Sequence, residues 1–397
     1  MPMKDRRVEQ LNAPAPGARL DALRELARMY REGELELPEF GGNVNNHIHT
    51  TFSFSPYSPA KAVYLAWESG LATAGIMDHD SVSGAGEFIE AGRVIGLPVT
   101  VGFECRCSVA GTPFEGKRLN NPDQKSVAYL AMHAIPHQML GEADSFLAPY
   151  REKRNIRNRK MTDKLNNKLE PYKMALDFDR DVLPLSQHAL GGSVTERHIL
   201  YALASALTEK EMQRHFLLGV FKSRLVESFY IDADEELPHI FEFIDLAGKL
   251  GAIPAYAYLG DIGVSVTGDK RPQAFEDSFL DELLTYLAKI GIRAVTYMPA
   301  RNSTRQLTTV MSLCKSNDLF QISGEDINSP LQGFICGKID TPEFRHLIDS
   351  AWALIGHEIA SQQGLAEGMF SRKIMSQFPN LNDRILYFAD TARKASK

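Results

Sequence analysis

Residues 45–84 read NNHIHTTFSFSPYSPAKAVYLAWESGLATAGIMDHDSVSG. A short run of strand-forming residues, Gly42–Ile48, ends in His47-Ile48-His49. A helix signal follows at 58–70, with Ser58 placed as N-cap and Pro59 in the first turn. A second apolar run, Leu71–Met77, then ends in Asp78-His79-Asp80. The stretch is therefore a strand–helix–strand unit whose strands each deliver histidines and carboxylates at the carboxyl end. In a strand, residues i and i+2 point to the same side. His47 and His49 can thus present two imidazoles to one ion, and carboxylates from facing strand ends would complete a mixed nitrogen and oxygen shell suited to Zn, Mn or Fe.

The same pattern continues outward along the chain. Further apolar runs lie at Leu97–Phe103, Val127–Met132, Ala252–Ala257, Ile292–Tyr297 and Leu319–Ile322. Helical patterns lie between several of them, as at 83–96 and 275–291. Strands alternating with helices predict parallel βαβ units, and seven strands suit a closed or nearly closed barrel better than a long open sheet. The residues after the runs are ligand types: Glu104 after the third, His133 after the fourth, Tyr258 and Asp261 after the fifth, and Gly324-Glu325-Asp326-Ile327-Asn328 after the seventh. In a parallel barrel the carboxyl ends form one face, and that face carries the active site. Clustered His, Asp and Glu on it mark a metal centre.

Three segments fall outside the alternation. Residues 1–41 read as an N-terminal extension, loose over 1–18 and helical over 19–33, where Leu20, Leu23, Leu26, Ala27 and Tyr30 recur at helical spacing. Residues 138–248 lack strand alternation and predict a helical insertion within a barrel spanning 42–340. Residues 341–397 predict a C-terminal helical extension. The insertion contains a basic stretch with Arg154, Arg157, Arg159 and Lys160, which either clamps phosphate oxygens or forms a solvated helix face.

Composition sets bounds. The 397 residues carry 44 Lys and Arg against 50 Asp and Glu, a net charge of −6. This gives no basic footprint for duplex nucleic acid. Cys105, Cys107, Cys314 and Cys336 are too few for a disulfide framework and read as reduced, buried thiols. The charged N-terminus lacks the apolar stretch of a signal peptide, and no run approaches the ~20 apolar residues of a membrane span. A cytoplasmic protein is expected.

The segment 45–84 resembles the opening of the PHP (polymerase and histidinol phosphatase) superfamily, which pairs an H-x-H-T strand with a D-H-D segment on the next strand. GFECR (102–106), AMHAI (131–135) and GEDIN (324–328) are similar to its later elements. The insertion resembles the subgroup that hydrolyses phosphoesters of nucleotides, in RNIRNRKMTDKL (154–165) and ERHILYAL (196–203). The resemblance implies a distorted (β/α)7 barrel with up to three metals. His47, His49, Glu104 and Asp326 would form the first site, Glu104 would bridge to a second ion held by His133, and His79 would belong to the third. The chain departs from the family at Phe54, at Tyr258 in its A-H-P element, and at Asn328 in its closing D-x-H. One complete site, a second weakened one and a depleted third are therefore implied.

These readings converge on a metal-dependent phosphoesterase acting on a small phosphorylated metabolite or nucleotide. His79 or Asp80 would orient ligands or move protons; Arg157, Arg197 and His198 would receive the phosphate. Two alternatives stay open: metal-assisted C–N hydrolysis, and a degenerate scaffold that binds metal without catalysis.

Overall fold

The computed structural model describes residues 3–262 and 273–396. Helices α1 (Met3–Gln10) and α2 (Pro16–Arg31) precede β1 (Val44–Ile48). Then come α3 (Pro59–Glu68), β2 (Thr73–His79), α4 (Ala85–Ile95), β3 (Val99–Ser108) and β4 (Val127–His133). Between β4 and β5 (Ile253–Ala257) lie α5 (Leu140–Leu169), α6 (Glu196–Leu207), α7 (Glu211–Phe229) and α8 (Ile240–Leu250). The chain continues through α9 (Leu280–Ile290), β6 (Ala294–Tyr297), α10 (Thr304–Ser316) and β7 (Phe320–Ser323). It ends in α11 (His346–Gln363), α12 (Arg372–Gln377) and α13 (Leu381–Ala395).

Each of the seven strands falls on one of the seven apolar runs. They form one sheet in sequence order, β1 to β7. The sheet curls until β1 meets the segment after β7, where His49 N–H donates to Ile327 O at 2.9 Å and Ile327 N–H donates to His47 O at 3.1 Å. The result is a nearly closed, barrel-like sheet in a mixed α/β fold.

One strand direction corrects the sequence reading. β4 runs antiparallel to both β3 and β5, while the remaining pairs are parallel. The cause is local: residues 109–126 between β3 and β4 contain no helix, and a parallel crossover of that kind usually needs one. The carboxyl end of β4 therefore points to the opposite rim from the others.

Besides a separate core among α5, α6 and α7, and a small one around Val44 and Ile339, apolar contacts around the sheet fall in three shells. α2, α3 and α4 pack on the outward side chains of β1 to β3, among them Ile48, Ile76 and Val101. α8, α9 and α10 cover Phe103, Leu130, Tyr256 and Val295. The third shell joins Met77, Ala131, Ala255, Ala294 and Ile322 of the strands to Leu354, Met369 and Phe388 of the C-terminal segment. The N-terminal residues are better ordered than their composition suggests: α1 is helical, Leu11 is fully buried, and Asn12 Nδ2 donates to Pro56 O at 2.8 Å. Among the described residues no helix is long and apolar enough to cross a membrane.

Candidate metal centre

The centre starts from strand register. β2 and β3 place His79 opposite Glu104, and the closure of β1 against residue 327 brings His47 and His49 over the same carboxylate. His47 Nε2 lies 3.6 Å from Glu104 Oε2, and His49 Nε2 lies 3.5 Å from Glu104 Oε1. One ligand atom from each of these three buried residues lies within 4.8 Å of the other two. Gly324 makes the approach possible: a Cβ there would come 2.5 Å from His47 Cβ.

A chain of hydrogen bonds fixes the His49 tautomer. Ser53 Oγ donates to Asp78 Oδ1 at 2.6 Å and lies 3.3 Å from His49 Nδ1. A hydroxyl has one proton to give, so Ser53 can only accept from the His49 Nδ1–H. The Nε2 lone pair then faces Glu104 and Asp326, and Nε2 is buried without a hydrogen-bond partner. Asp78 is held in turn by the N–H and Oγ1 of Thr50, both at 2.6 Å. Such outer contacts orient a metal-binding histidine and raise its basicity.

Asp326 Oδ1 stands 3.2 Å from His49 Nε2. Asn328 does not present an oxygen to the centre; its amide donates to Asp326 Oδ1 at 2.5 Å. Phe54 turns away and packs edge-on against His198, ring centroids 5.0 Å apart. His79 stacks on His49 at 4.7 Å, and its Nδ1 lies 3.0 Å from Glu104 Oε1. His133 enters from below. The β3–β4 register pairs Ala131 with Glu104, so His133, two residues on, shares their inward side but sits deeper in the barrel. Its Nε2 is buried without a partner. Tyr258 and Asp261 do not take the place of a second-site histidine: Tyr258 OH donates to Asp277 Oδ1 at 2.6 Å, and Asp261 Oδ1 accepts from Phe275 N–H at 2.6 Å.

The electrostatics suit cation binding. Burial alone would raise the Glu104 carboxyl, but the neighbouring imidazoles of His79, His47 and His49 hold it down at about 2. Burial pushes His79 and His133 down to about 3, so both present neutral rings. Burial also opposes protonation of His47, but the Glu104 carboxylate beside it prevails and raises it. An ionised carboxylate, orphaned buried imidazole nitrogens and a mixed nitrogen and oxygen donor set fit a divalent transition metal.

Beside His79 opens a small pocket walled by Arg106, Tyr129, Arg154, Thr195, Glu196 and Arg197. The basic stretch of α5 divides here. Arg151, Arg154, Asn155 and Asn158 make a buried stripe at helical spacing, with Arg157 also buried, while Arg159 pairs with Asp179 on the surface. Asp80 is engaged by Arg154 in a buried ion pair, which takes it away from the metal ligands. His198 Nδ1 accepts the Thr195 N–H at 3.0 Å, so it caps α6 rather than lining the pocket. Burial pushes it down to about 4.

Sequence reasoning passed over Ser53, Arg106, Tyr129 and Glu236. Arg106 had a signal, because it stands at i+2 from Glu104 and shares its face. Glu236 had none: it lies in an irregular segment and meets its partners only in three dimensions.

No family model matches the chain, and no curated protein matches it in sequence. Among solved structures it is similar to a protein from Bifidobacterium adolescentis that carries the provisional name metal-dependent phosphoesterase, with TM-score 0.55, 21% identity, and coverage of 80% of this chain and 98% of that one. It is also similar to an amidohydrolase from Chromobacterium violaceum seen with bound sulfate and no metal, with TM-score 0.57, 17% identity, and coverage of 78% and 96%. At these identities the likeness is one of fold.

Proposed function

We propose that this chain is a metal-dependent phosphoesterase of the PHP type, acting on a small phosphorylated metabolite or nucleotide. The observation that carries the reading is the adjacency of two differently built sites: the buried His47, His49 and Glu104 cluster, and the arginine-walled pocket that His79 shares with it. A metal cluster alone serves many hydrolases; arginines beside it favour a phosphoryl group, whose oxygens match the guanidinium fork.

His47, His49, Glu104 and Asp326 would hold the first ion, and Glu104 with His133 a second; Zn, Mn and Fe suit this donor set. A divalent ion, if bound there, would supply Lewis acidity, lowering the pKa of water toward neutrality and polarising a phosphoryl oxygen. The chain's own groups do the rest. Ser53 and Asp78 keep the His49 nitrogen bare and aimed. Arg106, Arg154 and Arg197 draw the phosphate into the pocket. His79, neutral and in contact with Glu104, stands at the border between the two sites, where it can pass a proton. Asn328 steadies Asp326, which leaves a third metal position without a full ligand set. A net charge of −6 suits a small substrate better than duplex nucleic acid.

The second reading, C–N hydrolysis, draws on the amidohydrolase fold neighbour, but the arginine pocket speaks for the ester. The deciding experiment measures metal per chain in purified protein and then turnover of a panel of phosphomonoesters, phosphodiesters and amides. Metal-dependent hydrolysis of a phosphate ester is expected. A metal-loaded protein that cleaves an amide and leaves every ester intact would reverse the order of the two readings, and one that binds no metal would remove both.

A further inference from the structure

Three arginines from two elements converge on a single carboxylate beside the pocket. Glu236 lies in the irregular segment between α7 and α8 and is 6% exposed. Its Oε2 accepts from Arg157 Nε at 2.6 Å. Its Oε1 accepts from Arg106 Nη2 and lies 3.5 Å from Arg154 Nε. Both carboxylate oxygens are therefore engaged by cations. The guanidiniums are braced on their far sides as well: Arg106 Nη1 donates to Tyr230 OH at 3.0 Å, Arg157 Nη1 donates to Ile231 O at 2.8 Å, and Arg154 pairs with Asp80.

Three like charges gathered in a buried space repel one another. Without a counter-charge they would splay apart, each toward solvent. Glu236 offsets that repulsion and fixes the planes of the guanidiniums. It does not neutralise the cluster: Arg106, Arg154, Arg157, Arg197 and Lys222 face Glu236, Asp80, Glu196 and Asp123, five positive charges against four negative ones. The surplus is available to a ligand. Arg106 and Arg154 line the pocket beside His79, and Arg157 Nη2 is buried with no partner in the protein.

We infer that Glu236 is the positioning residue of a phosphate cradle: it touches no substrate, but it holds Arg106, Arg154 and Arg157 in the arrangement that receives a phosphate dianion next to the metal centre. This inference rests on the phosphoester reading above. The rival role for Glu236 is a brace that ties the segment after α7 to α5 and has no effect on ligands.

The two roles separate in a titration of inorganic phosphate into metal-loaded protein, followed by calorimetry, alongside steady-state kinetics on a phosphomonoester. Glu236→Gln keeps the shape and removes the charge. It is expected to weaken phosphate binding about tenfold or more, as the loss of charge-assisted hydrogen bonds does. KM should rise by a similar factor, kcat should change little, and metal content should stay at the wild-type value. Glu236→Asp keeps the charge and should recover part of the affinity. If Glu236→Gln does not fold, Tyr230→Phe, which frees only Arg106 Nη1, should give a smaller loss of phosphate affinity in the same direction. A Glu236→Gln protein with a lower melting temperature but wild-type phosphate affinity and KM would make Glu236 a brace and overturn the inference alone. Wild-type protein that takes up no phosphate would overturn the cradle and the phosphoester reading together. Phosphate binding that depends on Glu236, in a protein that hydrolyses no ester, would leave the cradle standing and remove only the reaction assigned to it.

Discussion

His49 depends on more of its surroundings than His47 does, since its Nδ1 is tied through Ser53 to Asp78 while its Nε2 faces Glu104 and Asp326. Asp78→Asn puts an amide where three donors now converge, so the Ser53 hydroxyl loses a full acceptor and the His49 tautomer loosens. Losses of about 10–100-fold in metal affinity are the usual result of cutting such a contact. Competition against a chelator should show this, with no change in circular dichroism; unchanged affinity would mean that the relay does not orient His49. Direct removal of a ligand is harsher: His47→Ala is expected to strip most of the bound metal, read as metal per chain. A second titratable histidine, far from the centre, makes a pH prediction. His357 is buried, accepts from Met369 N–H at 2.9 Å and contacts Gly251 O through Nε2 at 2.8 Å. Burial depresses it to about 4 from an ordinary value of 6.5. The unfolded chain therefore binds the proton first as pH falls. The stability this neutral ring contributes is complete above pH 6.5 and erodes as pH drops toward 4, by up to about 3 kcal/mol at about 1.4 kcal/mol per pH unit. Denaturant midpoints measured between pH 7 and pH 4 should fall less steeply in His357→Gln than in the wild-type chain.

Phe54 shows how an element can be read correctly and its side chain misplaced. In the sequence it stands where the resembled family has a metal ligand; in the fold it packs against His198 and Tyr201 and belongs to the apolar core of the insertion. Phe54→Ala is accordingly expected to destabilise the fold by about 3 kcal/mol, seen as a lower melting temperature with metal per chain retained. Loss of metal at unchanged stability would return Phe54 to the centre. The strands were legible because runs of apolar residues bounded by turns leave a local signature. Direction was not: a period of two is the same read either way, and only the helix-free link at 109–126 betrays the reversal of β4. That reversal moves His133 from the rim to a position beneath Glu104, on the inward side of β4. The clustering of His47, His49 and Glu104 was legible from their places at strand ends. Glu236 and Ser53 were not, because their partners come from distant or differently folded segments. The α5 arginines were ambiguous for a related reason. A helix with polar residues on every side does not reveal from its sequence which face is buried, and here the buried face is the charged one.

At the scale of the whole chain, the barrel is open to chemistry at one end and must be shut at the other. The inward side chains Met77, Ala131, Ile253, Ala255, Ala294, Phe320 and Ile322 pack at the floor against Leu354 of α11, Phe388 of α13 and Met369, which complete that core. The join is polar at one further point. Glu358 of α11 is buried and accepts from Thr100 Oγ1 at 2.6 Å and Val101 N–H at 2.7 Å, at the start of β3, and lies 3.1 Å from His137 Nε2, between β4 and α5. One carboxylate thus links α11, the start of β3 and the segment between β4 and α5. Removal of residues 346–397 would expose that apolar floor to water and take the shared acceptor from the Thr100 hydroxyl and the Val101 N–H. Lost apolar burial and lost charge-assisted hydrogen bonds each cost kilocalories, against a total stability of about 5–15 kcal/mol for a typical domain. The truncated chain is therefore expected to lose cooperative unfolding, bind a hydrophobic dye and fail to retain metal, although every candidate ligand of the proposed centre lies within residues 47–326. Glu358→Gln, which keeps the apolar floor, should lower the melting temperature while leaving unfolding cooperative and metal content intact. A chain ending at residue 345 that melts cooperatively at the wild-type temperature with its metal in place would show that the C-terminal helices are an appendage and that the strands close their own floor.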